Sequence, residues 1–134
     1  MNWAAVAFLA AVTCGILSAG AAHLPPVDAV RGPTLAAEAL GSPLLAPLLV
    51  ECLKKPGNHG FSRSDVKTLP PLGGYGLGPD MDDCLRELAY ARALLACGDF
   101  AGLGRRTYEQ YASDARGVLS AHAKAILARH KSIP

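Results

Sequence analysis

The sequence predicts an all-α fold: a small secreted helical domain of two to three helices, with an antiparallel helical hairpin and a long Gly/Pro-rich loop. Three observations carry that prediction. Apolar residues recur at helical spacing in LLAPLLVECLKK and again in MDDCLRELAYARALLAC. Those runs stop at Pro56-Gly57 and at Gly98, residues that end helices. A chain of 134 residues that is 51% hydrophobic and 18% charged has the size of one domain and enough apolar material for its core.

The elements follow in chain order. Residues 1–22, MNWAAVAFLAAVTCGILSAGAA, carry no charged side chain and close on small residues, with Ala19-Gly20-Ala21 fitting the small-x-small pattern of a cleavage point. A secretory signal peptide is expected there. An uncleaved anchor is the alternative, since the apolar run is just long enough to cross a bilayer. Residues 23–33, HLPPVDAVRGP, hold three prolines and are expected to be an extended leader. A single helical domain then occupies 34–131, with a loop at 56–79. Thr34 is placed as the N-cap of a turn over Leu35 to Leu40 that Gly41 ends. Ser42-Pro43 opens a helix over about 43–55, because serine is a favoured cap and proline in a first turn gives up only an unpaired N–H. Pro47 is expected to bend or delay that helix, and Lys54-Lys55 suit its negative end.

Residues 56–79 contain four prolines and six glycines and read as a loop, partly ordered through Phe61, Leu69, Leu72 and Tyr75. The next helix spans about 81–97. Asp80 is placed as its cap, Asp82 and Asp83 lie where the helix dipole favours anions, and Met81, Cys84, Leu85, Leu88 and Leu95 form its buried stripe. The joint at Gly98-Asp99 is so short that the following helix must pack antiparallel to it.

The stretch CGDFAGLGRR, Cys97 to Arg106, has two readings. Gly98-Asp99 looks like a helix stop and restart, whereas Gly104-Arg105-Arg106 has the form of a cleavage and amidation signal in a peptide-hormone precursor. Helical phase favours the first. Over 100–131, Phe100, Leu103, Tyr108, Tyr111, Ala115, Val118, Leu119, His122 and Ile126 gather on one face, and Arg105, Arg106, Arg116, Lys124 and Lys131 gather on the opposite, basic face. Breaks, if present, fall at Ser113-Asp114 or Gly117.

Ala93 to Ser113, ALLACGDFAGLGRRTYEQYAS, resembles one helix–turn–helix step of a tetratricopeptide repeat, with Gly98-Asp99-Phe100 at the turn and Tyr108 and Tyr111 inside. A stable solenoid needs about three such units, and the chain has one. The same segment is similar to a helical stretch near the C-terminus of galactokinase-like sugar kinases, through Leu95, Gly98, Asp99, Gly104, Glu109 and Ser113; the histidine usual in that stretch falls at Tyr111. The chain lacks that family's glycine/serine-rich phosphate loop and is too short for its fold. Each resemblance spans about a sixth of the chain, and no functional residue is carried over.

Cleavage of the leader leaves Cys52, Cys84 and Cys97 as disulfide candidates. Cys84 and Cys97 on one unbroken helix stand about 20 Å apart along its axis, beyond the roughly 7 Å reach of a disulfide between α-carbons. Cys52 therefore pairs with one of them or with neither, and an exposed third thiol would allow a covalent dimer. No Cys-x-x-Cys or His-x-x-x-His ligand spacing points to a metal, and the Gly73–Gly78 run lacks the Lys-Ser/Thr of a phosphate loop. No catalytic set is expected, and no cofactor. His122 reads as a histidine on the apolar stripe. A net charge of +2 does not argue for nucleic acid.

Function is therefore expected to be non-enzymatic: a secreted, extracellular interaction protein with a protein partner, acting as a ligand, effector or subunit of an extracellular or envelope complex. The alternatives are binding to an anionic membrane surface through the basic amphipathic C-terminal helix, and a peptide-hormone precursor processed at Gly104-Arg105-Arg106.

Overall fold

The computed structural model describes residues 27–70 and 80–131. The expected signal peptide at 1–22, the first residues of the expected leader and positions 71–79 of the loop lie outside the described residues.

Among the described residues all regular structure is helical. Five α-helices follow one another: α1 Val27–Leu40, α2 Ala46–Lys54, α3 Met81–Ala96, α4 Leu103–Ala112 and α5 Gly117–Lys131. Short 3-10 turns occupy Pro43–Leu45, Val66–Thr68 and Phe100–Gly102. The all-α class holds, but the expected two or three helices are five, for two local reasons.

The first reason lies at the expected leader. Residues 27–33 are not extended; they are the opening turns of α1, with Pro33 inside the helix. Proline removes a backbone hydrogen bond there, but Val30, Thr34 and Ala37 recur on one face and are all buried, and α1 packs along α3. Tertiary burial, which supplies most helical stability in proteins, outweighs the local penalty. Thr34 is accordingly mid-helix rather than a cap. Its hydroxyl donates to the carbonyls of Val30 (2.9 Å) and Arg31 (3.1 Å), the back-bond a helical threonine makes.

The second reason lies within the expected 100–130 rod, which breaks at Ser113–Arg116 into α4 and α5. The amide of Ala115 leaves helical pairing and donates to Arg63 O at 2.7 Å. The fold thus uses this corner to turn the chain back, and α5 packs along α4.

Contacts set the directions. Glu38 reaches Arg92, and the Cys97 thiol donates to Ala37 O, so α1 and α3 run the same way. Asn58, just beyond α2, reaches Arg86, so α2 runs antiparallel to α3. α4 descends from the Gly98–Gly102 joint and α5 climbs back beside it, its Ser120 hydroxyl donating to Ala112 O. One end of the bundle therefore gathers the turns at 41–45 and 98–102; the opposite end gathers the α4–α5 corner, the start of α3 and the loop after α2. Between the ends lie Leu45, Leu49, Leu53, Leu88, Leu94, Tyr108, Tyr111 and Ile126, all buried in one core.

The α3–α4 joint explains CGDFAGLGRR. Gly98 (φ +102°) and Asp99 close α3 with N–H donations from Gly98 to Leu95 O and from Asp99 to Leu94 O, the paired pattern of a glycine-terminated helix. The Asp99 carboxylate then turns forward and accepts from the amides of Gly104 (2.7 Å) and Arg105 (3.2 Å). It acts as an anionic cap on the first turn of α4. Gly104 is required for packing: a Cβ there would stand 2.7 Å from Ala91 O and 3.2 Å from Leu95 Cγ. The dibasic pair is thus the first turn of an anchored helix.

Candidate functional site

Two constellations bring chemistry-bearing side chains together: a polar junction at the corner end and a cleft along the bundle's side.

The junction is centred on Glu87, Tyr111 and Arg116. Glu87 is buried on α3, and its carboxylate accepts from the amides of Gly60 (2.9 Å) and Phe61 (3.1 Å) and from the Tyr111 hydroxyl (2.7 Å). Arg116 is not on a solvent-facing basic face, as the helical phase had placed it. It lies in the break between α4 and α5, where its guanidinium spans Asp114 (2.8 Å), both oxygens of Asp80 (3.0 Å) and Phe61 O (2.7 Å). That also corrects Asp80, which stands at the cap position of α3 but makes no side-chain cap bond, its carboxylate being engaged by Arg116.

Burial works against the charge on Asp114, but hydrogen bonds from the Arg116 side chain and from the amides of Arg63 and Arg116 outweigh it and hold the carboxyl below its usual range. The same side-chain bond to Asp114 pushes Arg116 upward, against its own desolvation. Burial first, and then the Glu87 charge, drive Tyr111 far above the ordinary phenol value.

Cys84 sits in this junction with its thiol 3.8 Å from Phe61 O. A cysteine beside a tyrosine, a carboxylate and an arginine has the outline of a nucleophile's surroundings. Burial nevertheless raises the thiol's pKa, only partly offset by hydrogen bonding with Tyr111 and the Arg116 charge, so the thiolate is disfavoured. Each neighbouring polar group is already bonded to protein. The arrangement pins the loop, whose Ser62 hydroxyl donates to Gln110 O and whose Arg63 amide donates to Asp114. It is a latch that holds residues 58–63 against α3, α4 and the corner.

The three cysteines are separately buried and unpaired. Cys52 and Cys84 face different neighbours, and Cys97 donates to Ala37 O at the far end of α3. The disulfide that an oxidised secreted chain suggested is therefore not formed. None of Cys52, Cys84 and Cys97 is the exposed third thiol that a covalent dimer through them would need. Burial, with the Glu51 charge adding to it, pushes the Cys52 thiol up to about 11, and burial likewise raises Cys97.

The basic residues divide. Arg105 and Arg106 are on the first turns of α4, the latter donating to Ala101 O; Lys124 and Lys131 are exposed on α5. The apolar face opposite them is mostly spent on the core: Tyr108, Tyr111, Leu119 and Ile126 are buried. Phe100 and Val118, expected on that face, are instead exposed, and so is His122. The split at the corner rotates α5 out of phase with α4. On α5 itself Leu119, Ala123 and Ile126 are given to the core, while Val118 is left in solvent.

The cleft lies between the α1–α3 pair and the α4–α5 pair and has a volume of about 490 Å³. Leu35, Leu85 and Leu88 give its apolar lining, and Tyr108 and His122 face it from α4 and α5. Asp28 and Asp82 stand at the end near the helix starts, the Glu38–Arg92 ion pair (2.6 Å) at the other. Tyr108 is held by donation to Leu88 O at 3.1 Å and lies 6.0 Å, centroid to centroid, from the His122 ring. Partial burial, then the charges of Arg92 and Arg129, lower the His122 pKa, which favours the neutral imidazole. No sequence signal marked this cleft. Its residues come from four helices, and only α1, which was expected to be extended up to residue 33, completes its wall.

Fold and site together define, among the described residues, five α-helices around an open, mixed-charge cleft. No protein-family model, no curated protein and no solved structure matches this chain. Among the described residues, no helix is long and apolar enough to cross a membrane.

Proposed function

We propose that this chain is a secreted, non-enzymatic interaction protein that holds a segment of a partner protein in the cleft between the two helix pairs. The observation that carries the reading is the cleft itself. Leu35 and Leu85 are large apolar side chains left partly in solvent at its rim, beside carboxylates and an arginine that offer both signs of charge. Apolar anchors ringed by polar groups are what a helix or extended segment uses to dock. The latch supports the same reading, because its titratable groups are engaged in holding the loop.

Export rests on the uncharged leader. Burial of all three thiols makes export compatible with unpaired cysteines, since shielded, high-pKa thiols oxidise slowly.

Photo-crosslinking of the intact chain tests the binding reading. A crosslinker at position 35 or 85 is expected to trap one defined protein, and at position 66 or 109 to trap none. Equal trapping at all four positions, or trapping only at 66 or 109, overturns it. Sequencing of the exported product tests the leader: a new N-terminus at Ala22 or His23 supports cleavage, and a retained Met1 rejects it.

A further inference from the structure

The end of the bundle that gathers the turns has an unusual surface. Phe100 is 60% exposed, Leu44 57% and Leu40 45%. They come from the 98–102 joint, the 43–45 turn and the last turn of α1, and the 100–102 turn packs against α2. Three large apolar side chains, from the last turn of α1 and from two connections, thus share one tip, whereas scattered single exposures need no explanation.

The backbone beneath Phe100 is strained. Asp99 (φ +48°) and Ala101 (φ +61°) flank it in the left-handed region, with Gly98 and Gly102 on either side also at positive φ. Asp99 is compensated by its capping bonds. Ala101 has no such bonds to its side chain, and a non-glycine residue at that φ is strained relative to a right-handed one. The chain holds a side chain outward on a strained knuckle where an ordinary turn could fold it inward. Strain of this kind gathers at functional positions.

Charge at this tip is one-sided. Arg105 and Arg106 follow the knuckle directly, and the Arg106 guanidinium grips Ala101 O at 3.1 Å. α5 climbs about 16 Å from Ser120 to Lys131, while Arg105 stands only about 10 Å up α4 from Ala112. Because Ser120 and Ala112 are bonded to each other, Arg129 and Lys131 return to the level of Arg105 or beyond. The carboxylates nearby are Asp99, committed to the α4 cap, Glu38, paired with Arg92, and Glu109, one turn down α4.

We propose that this tip docks on an anionic membrane surface, with Phe100 and Leu44 entering the interface and Arg105 and Arg106 meeting lipid phosphates. Aromatic and aliphatic side chains partition into the headgroup boundary, and cations beside them add attraction to acidic lipids. The inference goes beyond the cleft. It places a second contact surface at one end of the bundle, leaving the cleft free, and it seats lipid contact on the turns rather than on the face of α5, whose Leu119 and Ile126 are buried in the core.

Co-sedimentation of the full chain with vesicles of phosphatidylcholine, with and without phosphatidylglycerol, tests it. Binding is expected to require phosphatidylglycerol and to weaken with salt. Removing both charges in Arg105→Ala/Arg106→Ala is expected to cut binding by roughly 25-fold, about fivefold per cation near the surface. Phe100→Ser/Leu44→Ser is expected to cut it by about tenfold or more, given the apolar area withdrawn from the interface. Because the apolar leader can bind lipid by itself, the comparison among variants of the same chain is decisive: unchanged binding in either double variant overturns the proposal. An environment-sensitive dye at position 44 is expected to shift to the blue on anionic vesicles, and one at position 66 to stay unchanged. A shift at 66 alone, or loss of binding only in the arginine variant with no shift at 44, also overturns it. The second pattern would mean purely electrostatic attraction to the lipid phosphates, with no apolar side chain entering the interface.

Discussion

At the corner end of this bundle, groups that leave helical pairing are met by specific partners. Arg116 answers Asp114, Asp80 and Phe61 O, Glu87 answers two loop amides and a tyrosine, and Ala115 donates to Arg63 O. At the turn end, the backbone is tied with comparable care through Asp99, but the side chains it carries, Phe100 and Leu44, face solvent. One end spends its polar groups on holding itself together. The other spends backbone strain on presenting apolar surface. The polar groups that close the fold at one end are thus separated by the length of the helices from the apolar side chains left exposed at the other.

The comparison can be broken at several places. Arg116→Ala should cause the largest loss, about 3–5 kcal/mol, because it leaves the buried Asp114 carboxylate without its cation; denaturant titration followed by circular dichroism measures it. A loss under about 1 kcal/mol would mean that the corner is a solvated ion pair and no latch. Gly104→Ala should come next, costing about 1–3 kcal/mol, since the added methyl has backbone and Leu95 already in its space. A neutral or stabilising outcome would show that α3 and α4 separate easily. Tyr111→Phe should cost about 1–2 kcal/mol by leaving one acceptor of buried Glu87 unfilled, and amide exchange at Gly60 and Phe61 should speed up with it. Phe100→Ser should change stability by no more than about 0.5 kcal/mol. A large loss there would place Phe100 in the core and erase the contrast between the ends.

Acid sharpens the same comparison. Asp114 is held below its unfolded value of about 3.9. Its contribution is therefore present above that value and is lost as pH falls through the lower, folded value. Stability of the native chain should drop steeply below about pH 4, and Asp114→Asn should flatten that part of the profile. His122 behaves differently. Its folded pKa lies below its unfolded one, so its neutral form favours no state at high pH, and stability falls slightly as pH drops below about 6.5, where the unfolded chain takes up the proton first. His122→Gln should remove that shallow slope.

Much of the scaffold was legible. The helical periods of α2 and α3, the stop at Gly98, the inward Tyr108 and Tyr111 and the helical joint at CGDFAGLGRR all follow from local spacing. Asp80, Thr34 and Arg116 were assigned plausible local roles, a cap at Asp80 and Thr34 and a solvent face at Arg116, and each is engaged elsewhere. Their true partners are Arg116 for Asp80, Val30 and Arg31 carbonyls for Thr34, and, for Arg116, the neighbouring Asp114 with Asp80 and Phe61 O from two other segments. The cleft was not legible because it is a space between helices, and spacing along one helix does not report how far apart two others stand.

What the amino-acid order determined by itself is where helices can form and stop: apolar recurrence, glycine at a left-handed end and aspartates in a first turn act within a few residues, so nearby chain suffices to read them. What only the tertiary structure decided is which faces are used. Pro33 lies within a helix because α3 covers Val30 and Ala37; three cysteines stay apart because the bundle buries each against different neighbours; Val118 reaches solvent because the chain turns at Ser113–Arg116. Burial is a property of the neighbours a side chain meets, and those neighbours are brought by distant parts of the chain.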